Sequence, residues 1–182
     1  MRRPWPLWFL LAACLALIHS SSSGGESMKL SSGAFPDGGK IPTQYVMPGA
    51  GGQNVSVPLT WANPPAGTES LALSMVDPHP VARNWVHWLV IDLPTTVNTI
   101  PEGASRQKMP PGAVELKNSF GEVGYGGPQP PRGTGDHPYV ITVYALSVPR
   151  LELDKNTTLE AFKEALKGKV LAQASVTGYY GR

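Results

Sequence analysis

Apolar and polar residues alternate with a period of two at several places along this chain, the signature of strands with one face turned to a core. Residues 70–77, SLALSMVD, put Leu71, Leu73, Met75 and Asp77 on one face and Ala72, Ser74 and Val76 on the other. Residues 84–93, NWVHWLVIDL, form the most strongly β-prone run. Regular alternation there puts Trp85, His87, Leu89 and Ile91 on one face and Val86, Trp88, Val90 and Asp92 on the other. Residues 139–146 set Tyr139, Ile141, Val143 and Ala145 against Val140, Thr142, Tyr144 and Leu146. Both of those faces are apolar, which predicts a strand inside a sheet. Further strands are expected at 54–61, where Pro58 removes a donor and marks an edge or a break, and at 170–177, before an aromatic tail.

The period changes to that of a helix once. Leu159, Phe162 and Leu166 share a helical face, while Lys163, Glu164 and Lys167 turn to water. Thr157 and Glu160 read as a capping box with Thr157 as N-cap, and Gly168 as the stop, so one helix is expected near 158–167. Residues 94–119 carry several breakers and no sustained period, which predicts a long excursion over the surface. Composition agrees with a mainly β, loop-rich chain: 20 glycines and 19 prolines supply the turns. With 41% hydrophobic and 15% charged residues, the 182-residue chain is globular and has room for one domain.

The amino terminus reads separately from that domain. Arg2 and Arg3 precede an apolar run from Leu7 to Ile18 and a small polar tract from Ser20 to Gly25, an export-signal layout over residues 1–24 that leaves a domain at 28–182. The run is short for a membrane span, so no integral span is expected in the mature protein. Leu11-Ala12-Ala13-Cys14 resembles a bacterial lipobox, so lipid anchoring at Cys14 stands beside ordinary cleavage, with an uncleaved anchor as a third reading. Either of the first two gives a secreted, periplasmic or envelope protein. Cys14 is the only cysteine, so the mature domain would hold no disulfide, thiolate metal site or cysteine nucleophile. Without Arg2 and Arg3 the chain carries 13 basic and 13 acidic residues. That balance lacks the basic footprint of a general nucleic-acid binder.

Candidate chemistry gathers in residues 120–146, FGEVGYGGPQPPRGTGDHPYVITVYAL, where a glycine- and proline-rich loop feeds a strand. Tyr125, Gly126, Gly127, Pro128, Pro130 and Pro131 can form a rigid wall with bare backbone. His137 and Tyr139 follow two residues apart, hence on the same face of the strand. Asp77, at the end of one strand, and His87, within another, are the groups this wall would oppose. Two imidazoles and a phenol can each offer a donor to a phosphate or carboxylate oxygen, and the glycine-rich wall can add backbone N–H groups. The plainer alternative for His87 is a core histidine satisfied by one hydrogen bond.

These segments resemble the phosphatidylethanolamine-binding proteins, the family that includes the Raf kinase inhibitor protein, and most closely its bacterial-type branch. The likeness rests on Asp77-Pro78 followed by Trp85-Val86-His87-Trp88, and on Gly124-Tyr125-Gly126-Gly127-Pro128 through Pro130-Pro131 to His137-Pro138-Tyr139. It extends from about Leu30 to the closing Thr177-Gly178-Tyr179-Tyr180-Gly181-Arg182. The resemblance implies a Greek-key antiparallel sheet with a smaller sheet and an anion pocket lined by Asp77, His87, His137 and Tyr139, with Pro78, Gly127 and Pro128 at its rim. Asp77 would orient a histidine, and no cofactor is implied. Two positions depart from the family pattern: His79 stands where a second acid is frequent, and Pro138 where many members have arginine. The first makes the rim less acidic than an ethanolamine site would favour.

The expected role is therefore binding of a small anionic, phosphate-bearing ligand such as a phospholipid headgroup, without turnover. A hydrolase using Asp77, His87, His137 and Tyr139 is the alternative, although no G-x-S-x-G, P-loop or H-E-x-x-H pattern supplies a nucleophile or a metal frame. Zinc held by Asp77, His87 and His137 is a narrower variant without diagnostic spacing. A rim that inhibits a protease or kinase partner is the third class.

Overall fold

The computed structural model describes Met1 and residues 26–182, so the export pattern and Cys14 lie, Met1 apart, outside the described residues. In chain order the elements are β1 (Lys29–Ser32), β2 (Gly39–Lys40), β3 (Leu59–Ala62), β4 (Ser70–Asp77), β5 (Trp85–Leu93), β6 (Thr99–Ile100), β7 (Val114–Glu115), β8 (His137–Leu146), α1 (Leu159–Leu166) and β9 (Val170–Tyr180). Six strands form one sheet in the order β2-β9-β8-β4-β5-β7, and β1-β3-β6 form a smaller one. All pairings are antiparallel except that of β2 with the end of β9. After β4, β5 and β7, the chain returns to lay β8 beside β4, which is the Greek-key arrangement.

The large sheet is covered on both faces, as the doubly apolar strands require. Leu71, Leu73, Met75, Ile141 and Val143 on one face pack with Leu59, Trp61 and Ile100 from the smaller sheet. On the other face Ala72, Leu89, Ile91 and Leu146 meet Leu159, Phe162 and Leu166 of α1. Burying each of these larger side chains contributes about 1.5–3 kcal/mol, so two cores hold β4 and β8 from opposite sides.

Five sequence-based expectations change. The alternation along β5 is not regular: Met75 lies opposite Trp88 and Val76 opposite Val86, so His87 is the extra residue of a β-bulge. Val86, Leu89 and Ile91 consequently share the helix side, and Trp88 and Val90 share the inter-sheet side. His87 is thereby separated from Leu89 and Ile91. A second register shift faces Asp92, whose φ of 58° lets Leu93 turn back into the inter-sheet core.

The helix begins one residue later than the capping box implied. Thr158 is the N-cap, and its hydroxyl accepts from the Ala161 N–H. Residues 94–119 are more than surface: they supply β6 to one sheet and β7 to the other, and bury Ile100, Ala104 and Leu116. Their strands are two residues long, too short to leave a period. The 54–61 run forms a strand only from Leu59, immediately after Pro58, while the last strand continues through the aromatic pair to Tyr180.

Candidate functional site

At the ends of β4, β5 and β8 nearest Asp77, Trp85 and His137 lies a cavity of about 320 Å3. Asp77, His87, His137 and Tyr139 line its floor. Val81, Ala82 and Trp85 border it on one side, with Phe120 and the Gln129-Pro130-Pro131 segment making the rest. Strand pairing accounts for the convergence. Asp77 and Trp85 are register partners across β4 and β5, and β8 runs beside β4 with His137 and Tyr139 on the face that looks into the inter-sheet space. The bulge adds His87 to that group.

Asp77 is 2% exposed, and both carboxylate oxygens are occupied. Oδ2 lies 2.6 Å from His137 Nδ1, and Oδ1 accepts from the His79 N–H at 2.9 Å. A buried carboxylate is retained only with such partners, because unpaired it would be costly to desolvate. The His79 ring stacks on His137 with centroids 3.8 Å apart and planes inclined by 21°. The residue that departs from the family pattern thus covers one face of a site histidine.

His137 Nε2 lies 2.9 Å from Thr134 Oγ1. Thr134 directs its single hydroxyl proton to the Pro131 carbonyl at 2.7 Å, so its oxygen accepts from the histidine. Both nitrogens of His137 are thereby engaged by the protein.

His87 is buried, with Nδ1 2.6 Å from the Gly126 carbonyl. A carbonyl oxygen only accepts, so Nδ1 carries the proton and Nε2 presents a lone pair when the ring is neutral. Burial pushes the pKa of His87 down to about 4, against smaller opposing effects of the Gly126 carbonyl and the Asp77 charge, so the ring is neutral at pH 7. The sequence had suggested a donor here; the structure gives an acceptor. Among the described residues Nε2 makes no hydrogen bond, and the ring forms part of the cavity lining.

The Tyr139 hydroxyl is the one buried side-chain polar atom without a partner among the described residues. Desolvation, and then the nearby Asp77 charge, raise its pKa far above the ordinary phenol value, so it remains an O–H donor. Its ring meets that of His87 edge-on at 4.9 Å. An unpaired buried hydroxyl costs about 1–3 kcal/mol, and Tyr139 is one of the residues that line the cavity.

The glycine-rich wall has a different purpose from the one expected. Gly126 N–H donates to the His87 carbonyl at 2.8 Å and Gly127 N–H to Asn54 Oδ1 at 2.7 Å, so these two donors are spent inside the protein. A Cβ on Gly127 would sit 2.1 Å from the Tyr45 carbonyl oxygen, which makes glycine necessary for packing. Gly127 and Pro128 are buried behind the wall and do not line the cavity, and Pro78 is an exposed residue beside the mouth. Pro130 and Pro131 form the wall itself. Arg182 braces it from outside by donating to the Pro130 and Gly49 carbonyls. Gln129, Phe120 and Thr134 carried no sequence signal as site residues, although Thr134, three positions before His137 in a Gly-Thr-Gly turn, stands within reach of the imidazole.

The chain is similar in sequence and in fold to known proteins. The sequence model described as phosphatidylethanolamine-binding protein matches residues 31–181. The UPF0098 protein of Aquifex aeolicus is 37% identical over 173 residues, covering 95% of this chain and 99% of that one. YbcL of Escherichia coli is 34% identical, covering 94% and 96%. The crystal structure of YbcL superposes with a TM-score of 0.81 over 86% of this chain and 99% of its own, at 33% identity. CT736 of Chlamydia trachomatis gives 0.74 at 35% identity, over 86% and 98%.

Proposed function

This chain belongs to the phosphatidylethanolamine-binding protein family, and from that premise we propose that its cavity binds a small oxyanion-bearing ligand, a phosphate group foremost, without turning it over. The observation that carries the reading is the buried, unpartnered hydroxyl of Tyr139, a residue that lines the cavity. Such a donor is complementary to a ligand oxygen. Val81, Trp85, Phe120 and Pro131 around the opening suit an apolar body attached to that group, so an organic phosphate fits better than the bare ion. A phospholipid headgroup belongs to this class.

Turnover is disfavoured by the hydrogen bonding. Asp77, His137 and Thr134 line up at 2.6 and 2.9 Å in the order of an acid, a base and a nucleophile. The Thr134 proton, however, goes to the Pro131 carbonyl, away from the imidazole that would have to take it. The Gly126 and Gly127 N–H groups that could stabilise an oxyanion intermediate are already bonded. For metal binding, no group of three or more His, Cys, Asp or Glu side chains is arranged around a common centre among the described residues.

We place the protein outside the cytosol, on the export pattern of residues 1–24. A relative from Mycobacterium tuberculosis, 37% identical over 155 residues, is named as a candidate lipoprotein, LppC. No helix among the described residues is long and apolar enough to cross a membrane. Val81 and Trp85, exposed at the cavity mouth, are the apolar surface that a protease or kinase partner at this rim would meet.

Calorimetric titration with inorganic phosphate and with phosphoethanolamine tests the binding proposal. Saturable binding that Tyr139→Phe weakens about tenfold or more is expected, from the loss of one hydrogen bond to a charged group. Absence of binding by both compounds contradicts it.

A further inference from the structure

The Gln129 amide lies in the cavity wall, and the floor pairs one unpartnered donor with one acceptor that are not interchangeable. The donor is the Tyr139 hydroxyl. The acceptor is Nε2 of His87, because the Gly126 carbonyl fixes the proton on Nδ1. His137 adds no free group, since Asp77 and Thr134 hold its two nitrogens. A fully ionised oxyanion has only acceptors, and would set a negatively charged oxygen against the His87 lone pair.

Resting on the oxyanion reading above, we propose that this site selects the singly protonated form of a phosphate monoester or phosphonate, whose P–OH donates to His87 Nε2 while a second oxygen accepts from the Tyr139 hydroxyl. The ligand thus supplies the proton that His87 lacks. The titratable groups around His87 are Asp77 from β4 and His137 and Tyr139 from β8, while Phe120 and Trp85 beside it are uncharged. Burial keeps the His87 ring neutral across the range in which a phosphate monoester changes from monoanion to dianion, about pH 6.

The test compares methyl phosphate with methyl sulfate, which have the same size and, at pH 5.5, largely the same charge. Only methyl phosphate then carries an acidic hydroxyl. Methyl phosphate is expected to bind at least about tenfold more tightly at pH 5.5, the fold-change for leaving one buried hydrogen-bonding group unpaired. Raising the pH to 8 removes the P–OH and should erase that advantage while methyl sulfate changes little. Tyr139→Phe should weaken both ligands and leave their ratio standing. Equal affinities at pH 5.5, or methyl phosphate binding that strengthens toward pH 8, would overturn the inference while leaving the oxyanion site intact. Failure of both ligands to bind would remove the site and the inference together. Nitrogen-15 shifts of His87 in the wild-type protein give an independent reading that needs no variant. A bare Nε2 is expected in the free protein, with the ring still neutral in the methyl phosphate complex; an imidazolium there contradicts the proposal.

Discussion

At the scale of single residues, the cavity spends stability for binding capacity, and its histidines are not equivalent. Tyr139→Phe removes a buried hydroxyl that has no partner, so the variant should unfold at the same or a higher temperature while binding phosphate more weakly. Scanning calorimetry beside a binding titration reads both, and a large fall in Tm would show that the hydroxyl has a structural partner. Asp77→Asn should instead destabilise by about 3–5 kcal/mol, because His137 Nδ1 would lose its ionic partner in a buried position; chemical denaturation measures it. His87 makes a third kind of contribution. Its folded value of about 4 lies below the ordinary 6.5, so the folded state binds fewer protons than the unfolded state between those limits. The associated stability is complete above about pH 6.5 and is lost as pH falls toward 4, by on the order of 3 kcal/mol. A His87→Phe variant should lack that component of the acid-side loss, and an unchanged profile would contradict the burial argument.

At the scale of elements, two departures from regularity decide how the site is built. The bulge at His87 separates the neighbours that strict alternation would have kept together, sending Leu89 and Ile91 toward α1 and leaving His87 at the cavity. The wall is set by close packing. Gly127→Ala would press a methyl group to 2.1 Å from the Tyr45 carbonyl oxygen, so it should destabilise by about 1–3 kcal/mol or more and distort the cavity. The helix gives a cleaner test of register. Thr158→Ala should cost about 1 kcal/mol and Thr157→Ala much less, since only Thr158 caps the Ala161 N–H; equal costs would restore the capping box that the sequence suggested.

At the scale of the whole molecule, β4 and β8 sit between two cores, and the cavity opens where their ends leave the inter-sheet space. This much was legible in the sequence wherever a run was long enough to show its period. The doubly apolar 139–146 run, the 70–77 alternation ending on Asp77, and the spacing of His137 and Tyr139 all reappear in the fold. What could not be read depends on contacts distant in sequence. The bulge exists only relative to β4, the short strands at 99–100 and 114–115 only relative to their sheets, and the tautomer of His87 only relative to Gly126, 39 residues later. The same reason explains why the glycine wall looked like a set of free donors: the acceptor for Gly127 is Asn54, 73 positions earlier. The most direct measurement of the central claim is a crystal structure after soaking with methyl phosphate. The account predicts phosphate density within hydrogen-bonding distance of Tyr139 Oη and His87 Nε2, and density confined to other surfaces with this cavity unchanged would contradict it.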